Sequence, residues 1–198
     1  MFENLFSMQE KTCVITGGYR GLGAFMAQGF LEAGAKRVYI TGRKAQACIA
    51  AAEELSKFGE CIALPGDAST SEGLSQLVRE INEREDHIDV LVNNAGTAWG
   101  APFGEFPVKG WDKVMDINVK SPFFLTQALT PLLSKNASAQ NTSTVINIGS
   151  IAGILGNGLD TFSYAVSKSA IHQVTRVLAT ELAASHIRVN AIAPGRFY

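Results

Sequence analysis

KTCVITGGYRGLG, residues 11–23, is the stretch whose reading decides the fold. Its first half, Lys11 to Thr16, is a short, largely apolar run suited to a buried strand. Its second half carries glycine at 17, 18, 21 and 23, and helical patterning follows over 21–34. In a strand–turn–helix unit each glycine has a separate task. Gly17 permits the tight turn, Gly21 lets backbone approach a phosphate, and Gly23 allows close helix–sheet packing. A pyrophosphate then lies at the positive end of the helix. Glycines also serve ordinary turns, so the motif draws its weight from its place in the first βα unit.

Working outward, the same alternation continues. Strands are expected at 37–41, 61–64, 88–92, 143–149 and 187–193, with helices near 44–58, 71–85, 110–134 and 162–185. Strands separated by helix-length segments imply right-handed crossovers and a parallel sheet covered on both faces. The expected fold class is α/β: a doubly wound parallel sheet of Rossmann type, three layers α/β/α, in one domain over 1–198. Ser69-Thr70-Ser71-Glu72 reads as a capping box, and Gly34 and Gly59 stand where helices stop. Residues 134–143, SKNASAQNTS, read as a polar surface loop.

Composition excludes several classes of function. The 198 residues are 46% hydrophobic and 18% charged, too apolar for a disordered chain. A net charge of −1 offers no long-range field for nucleic acid or an anionic membrane. Cys13, Cys48 and Cys61 lack metal-ligand spacing and read as buried thiols in a reducing compartment. No metal site is expected. No apolar run suits a signal segment or a membrane span, so a cytoplasmic location is expected.

In such a sheet ligands bind at the carboxyl ends of the strands. A reader of a ribose 2′-hydroxyl would be an acid at the end of the second strand, but the sequence there is Thr41-Gly42-Arg43-Lys44. Arg43 suits a 2′-phosphate, with Arg20 closing from the glycine turn, so NADP(H) is expected over NAD(H). The plainer reading of Arg43 is a solvated helix-start residue. Asp67 suits either the adenine amine or the turn Pro65-Gly66-Asp67.

The fourth strand ends in Asn93-Asn94-Ala95-Gly96, where small residues let backbone pass close to the adenosine and the Asn side chains tie strand ends together. The fifth ends at Gly149-Ser150. Tyr164 and Lys168 follow, four apart on one helical face. Reducing a ketone takes a hydride from the nicotinamide and a proton at the carbonyl oxygen. A free tyrosine, with a pKa of about 10, is a poor acid–base group near neutrality. A neighbouring cation stabilises tyrosinate, and Lys168 is one. Ser150 can donate a hydrogen bond where the oxyanion develops. Tyr-x-x-x-Lys alone would more often be an aromatic ring packed on an alkyl stem; its position after Ser150 gives it force. Ser163, Ser167 and Ser169 read as helix-start and small-contact residues, and His87, His172 and His186 receive no role.

These motifs together resemble the short-chain dehydrogenase/reductase family over essentially the whole chain. They are Thr16-Gly17-x-x-x-Gly21-x-Gly23, Asn93-Asn94-Ala95-Gly96, Asn118 in Asn-Val-Lys-Ser, Ser150, Tyr164-x-x-x-Lys168 and Pro194-Gly195. The resemblance implies a catalytic set of Asn118, Ser150, Tyr164 and Lys168. Asn118 would hold a water in a proton relay through Lys168 and the ribose; read alone it is an interior polar residue of a helix. Around the phosphates the implied cofactor residues are Gly17, Tyr19, Arg20, Gly21, Leu22 and Gly23. Toward the adenosine they are Arg43, Asp67, Ala68, Asn94, Ala95 and Gly96. Pro194 and Gly195 join Tyr164 and Lys168 at the nicotinamide end.

A narrower likeness, to NADPH-dependent 3-oxoacyl reductases of that family, rests on Asn94-Ala-Gly-Thr-Ala-Trp-Gly, Ala47-Cys48, Val145-Ile-Asn-Ile-Gly-Ser, Ala193-Pro-Gly-Arg-Phe and the fourteen positions from Ser150 to Tyr164. It implies a 3-oxoacyl thioester on acyl carrier protein or coenzyme A. Ile151, Leu155, Leu159, Trp99 and Phe103 suit an acyl chain, and equally another hydrophobic ketone or plain core packing. A homodimer or homotetramer is implied, through the helices at 110–134 and 162–185. The family continues past Pro-Gly with a mobile lid and a last strand, which are expected to be lacking here. A chain ending at Tyr198 is expected to bind nucleotide yet turn over poorly, as a regulatory nucleotide-binding protein would.

Overall fold

The computed structural model describes residues 6–155 and 159–195. Its six strands are β1 (Thr12–Ile15), β2 (Arg37–Gly42), β3 (Cys61–Pro65), β4 (Val90–Asn93), β5 (Ser143–Ile148) and β6 (Ile187–Ile192). They form one sheet in the order β3-β2-β1-β4-β5-β6, with every pairing parallel. This is the doubly wound order, whose direction of winding reverses between β1 and β4.

Alternation along the strands sorts side chains into two cores. Cys13, Ile15, Val38, Ile40, Val90 and Val92 pack on α1 (Gly21–Glu32) and α2 (Ala45–Leu55). Val14, Tyr39, Leu91, Val145 and Val189 face the other way. They are covered by α3 (Ser71–Asn82), α5 (Ser121–Ser134) and α6 (Phe162–Leu182), and α4 (Val108–Met115) packs beside α6. Three layers result, as the alternating pattern predicts. All three cysteines are buried, and burial raises their thiol pKa values, that of Cys61 to about 12.

Three local expectations need correction. The expected helix over 110–134 starts at Val108 and is interrupted by a π turn, Asp116–Lys120, between α4 and α5. The N-cap of α3 is Thr70, whose Oγ1 accepts from the Gly73 N–H at 3.1 Å, so Glu72 is not the third residue of a capping box. Ser69 instead donates from both N and Oγ to Asp67 Oδ1. Finally, α6 gives way to a 3₁₀ turn after Leu182. Among the described residues no helix is long and apolar enough to cross a membrane, and no cluster of His, Cys, Asp and Glu could hold a metal ion.

Candidate active site

The crevice at the β1/β4 reversal is built by side chains that tie the two strand ends. Thr16 Oγ1 accepts from the N–H groups of Asn94 and Ala95, both at 3.0 Å. Asn94 Nδ2 donates back to the carbonyls of Thr16 and Gly17, and Asn93 Nδ2 reaches Asn147 Oδ1 at 2.8 Å on the next strand. Gly17 has φ +65°, as the tight turn requires. A Cβ on Gly23 would stand 2.5 Å from the Gly17 carbonyl and 2.6 Å from Asn94 Nδ2, so only glycine lets α1 start this close to the strand. Gly21 faces open space.

The resulting groove, about 390 Å³, is lined by Gly17 and Tyr19 through Gly23 and by Arg43, Asp67 and Ala68. Asn94, Ala95 and Gly96 complete its wall, with Lys113 and Ile117 from the helix opposite. Arg20 and Arg43 are both exposed and border the same space. The Arg20 guanidinium lies 5.6 Å from the Tyr19 ring centroid, and that ring lies against Gly42. Asp67 sits in its turn and accepts from Ser69.

A second cleft of about 420 Å³ shares Leu22, Asn94, Gly96 and Thr97 with the first. It brings together Ser150, Tyr164, Lys168, Pro194 and Gly195. Ser150 has an extended backbone and its Oγ accepts from the Ala152 N–H at 3.1 Å. Lys168 is 5% exposed and donates from Nζ to the Ile148 carbonyl at 2.6 Å. Its Nζ is 5.7 Å from the Tyr164 ring centroid. Burial lowers its pKa from 10.5 to about 8, because desolvation disfavours the ammonium.

Asn118 lies in the π turn, 2% exposed. Its Oδ1 accepts from the Thr97 N–H and its Nδ2 donates to the Thr97 carbonyl, both at 2.9 Å. The same Nδ2 donates to Ser167 Oγ at 2.9 Å, and Ser167 donates to the Tyr164 carbonyl. A Cβ on Gly96 would stand 3.2 Å from Asn118 Oδ1 and 3.7 Å from Lys168 Nζ, so both converge on that glycine. Ser167 and Thr97 were not legible as site residues. One polar residue on the buried side of a helix has no sequence signal beyond its polarity, although a π turn inside a helix often marks a functional position.

The apolar residues expected near the substrate divide. Ile151, Leu155 and Leu159 are exposed, which removes core packing as their explanation. Trp99 lies flat on Gly110 with Lys113 Nζ 5.4 Å from its ring. Phe103, 83% exposed, stacks edge-on against Phe162 and borders a further groove with Phe106, Pro107, Val108 and Trp111. Arg196 and Phe197, part of the narrower likeness, lie outside the described residues, as does the chain end at Tyr198.

Known proteins share this fold. The chain is 50% identical over 192 residues to the rhamnolipids biosynthesis 3-oxoacyl-[acyl-carrier-protein] reductase of Pseudomonas aeruginosa, covering 97% of this chain and 75% of that protein. It is 39% identical over 197 residues to the 2-dehydro-3-deoxy-D-gluconate 5-dehydrogenase of Escherichia coli, covering 98% of this chain and 75% of that one. The solved Pseudomonas aeruginosa RhlG/NADP active-site complex superposes with a TM-score of 0.94 at 50% identity, over 98% of this chain and 75% of that chain. The short chain dehydrogenase pattern matches residues 11–198. On the sheet order, the strand-end crevice and these matches together, the chain belongs to the short-chain dehydrogenase family of oxidoreductases.

Proposed function

We propose that this protein is an NADPH-dependent carbonyl reductase acting on a 3-oxoacyl thioester, carried by acyl carrier protein or coenzyme A, to give the 3-hydroxyacyl product. The observation that carries this reading is the single cleft in which Ser150, Tyr164 and Lys168 meet beside a glycine-walled groove with two exposed arginines at its rim.

That groove fits a phosphorylated dinucleotide. Gly21 leaves room for a phosphate against backbone at the start of α1, and Arg20 and Arg43 supply positive charge suited to a 2′-phosphate. Tyr19, Leu22 and Gly23 hold the same turn. Asp67, Ala68, Asn94, Ala95 and Gly96 would border the adenosine of a bound cofactor, and Pro194 and Gly195 would border its opposite end. When bound, NADPH supplies the hydride.

The residues of the chain handle the proton. Tyr164 Oη gives its proton to the substrate oxygen as negative charge develops there. Lys168 favours the tyrosinate so formed, and more strongly for being buried, since the surroundings screen its charge poorly. Ser150 Oγ donates a hydrogen bond to the same oxygen. Asn118 holds the wall of the cleft through Thr97 and approaches Gly96 together with Lys168; its role is to hold a water that returns protons through Lys168.

The acyl reading is supported by the exposed apolar side chains of Ile151, Leu155 and Leu159 and by the 50% identical reductase. The dimer reading is supported by Phe124 on α5 and Val166 and Val177 on α6, all exposed. The deciding assay follows NADPH oxidation with acetoacetyl-coenzyme A and with 5-ketogluconate, in the parent and in Tyr164→Phe. Thioester turnover that Tyr164→Phe abolishes supports the proposal. Turnover of the sugar acid alone would move the substrate class, and turnover indifferent to Tyr164→Phe would remove the mechanism.

A further inference from the structure

Three groups of α6 fall on one stripe, at 164, 168 and 172. The third is His172. Its Nε2 lies 3.2 Å from the Ser150 carbonyl oxygen, and its ring lies against Gly149 so closely that a Cβ there would be 2.4 Å from Cε1. A carbonyl oxygen can only accept, so a hydrogen bond here requires the hydrogen on Nε2.

The topology explains how this carbonyl comes to face a side chain of α6. β4 pairs with β5 only as far as Asn93 and Asn147, whereas on the other side β6 continues to serve the chain. Gly149 donates to Ile192 and Ile151 to Pro194. Along an extended strand the carbonyls of residues 148 and 150 then face away from β6, toward the side where β4 has ended. Backbone acceptors in such a place require partners. Lys168 Nζ serves the Ile148 carbonyl, while the Ser150 carbonyl accepts from the Gly153 N–H at 3.0 Å and meets His172 Nε2 as a second partner. The helix that carries Tyr164 is thereby fastened to both sides of the residue pair that presents Ser150.

We propose that His172 is a positioning residue that fixes the Ser150 peptide through its Nε2–H bond to the Ser150 carbonyl, and so sets where Ser150 Oγ stands relative to Tyr164. His172 touches neither substrate nor cofactor in this scheme. The inference rests on the assignment of Ser150 as oxyanion donor, because a freed peptide plane moves the Oγ it carries, and small misplacements of reacting groups are costly.

The test combines kinetics with a measurement that needs no turnover. His172→Phe keeps a ring against Gly149 and loses the donor; His172→Gln places an amide N–H where Nε2 stood. With NADPH and acetoacetyl-coenzyme A, His172→Phe is expected to lower kcat about tenfold, the worth of one such bond, while NADPH affinity measured by fluorescence titration stays put. His172→Gln should recover most of that rate. In a Ser150→Ala background the Phe substitution should add no further loss. Nitrogen-15 spectra of the unsubstituted protein should show the proton on Nε2. The proposal is overturned by unchanged kcat in His172→Phe whatever its melting temperature, by Gln no better than Phe, by fully additive losses, or by a proton on Nδ1 with Nε2 bare. Ser150→Ala at full activity would instead sink the oxyanion assignment while leaving the spectrum to judge the hydrogen bond.

Discussion

Asn118 grips Thr97 by both atoms of its amide, accepting from the N–H and donating to the C=O at 2.9 Å each. The pairing imitates one rung of a sheet at the place where β4 has stopped, and it holds the segment after Gly96 over the reactive cleft. Asn118→Ala leaves both half-buried Thr97 groups without that partner, and each lost hydrogen bond costs about 0.5–1.5 kcal/mol. A fall in urea midpoint together with a fall in kcat is expected. Asn118→Asp should be at least as harmful, because it sets a carboxylate against the Thr97 carbonyl. Unaltered stability in either variant would refute the grip.

Lys168 gives a pH dependence with a definite sign. Its pKa in the folded protein, about 8, lies below the ordinary 10.5, so the fold disfavours the ammonium. That penalty is present in full below pH 8 and is relieved as pH rises toward about 10.5, so this group makes stability increase across that window. Activity should run the other way. kcat/KM for carbonyl reduction is expected to fall as pH rises through about 8, where the cation beside Tyr164 is lost. Lys168→Met should abolish both trends and cut kcat by about 100-fold or more. Its stability at neutral pH should change little, relief of a buried charge being offset by an unpaired Ile148 carbonyl. Denaturant midpoints and rate profiles across this range check both signs.

Two glycines of α1 separate crowding from helix propensity. A Cβ on Gly23 collides with backbone of the Gly17 turn, while Gly29 has nothing within 4 Å. Gly23→Ala is expected to destabilise by about 1–3 kcal/mol and to weaken nucleotide binding. Gly29→Ala should stabilise by about 0.5–1 kcal/mol with binding intact. Calorimetry and nucleotide titration of the pair would show whether the two effects divide in this way.

Arg43 tests the cofactor reading. Arg43→Asp replaces the cation at the groove rim with the acid that suits a ribose 2′-hydroxyl. KM for NADPH should rise about 10- to 100-fold, the worth of hydrogen bonds to a charged group, and NADH should become the better reductant. Equal NADPH affinity before and after would reassign Arg43 to the solvent.

Much of this was legible in the sequence, and for definite reasons. Strands covered on both faces must be apolar along their length, so Val14, Ile15, Leu91 and Val92 announce themselves, and the glycine turn has few substitutes. Ser150, Tyr164 and Lys168 could be placed because each follows a strand end that the alternation already located. What stayed hidden depends on contacts without local signatures. Asn118 looks like any polar residue within a helix until the π turn is seen. The His172–Ser150 bond joins positions 22 apart, and nothing in the intervening residues foretells it. Thr70 displaced Ser69 as the cap because the Asp67 turn had already engaged Ser69.

The π turn at Asp116–Lys120 also makes α4 and α5 one rod with a slip in its phase. Upstream, Val114 is buried; downstream, Leu125 and Leu129 are. A π turn closes i→i+5 and so holds one residue more than an α turn; were these five residues regular helix, at about 100° per residue, the two apolar faces would be out of step by roughly that angle. Either Gly110 and Lys113 would swing away from Trp99, or the downstream half would turn leucines outward. This segment is therefore sensitive to the number of residues it contains as much as to their identity. A one-residue deletion between 116 and 120 that spares Asn118 should be borne better than a one-residue insertion, because only the deletion lets a regular turn keep both faces in step.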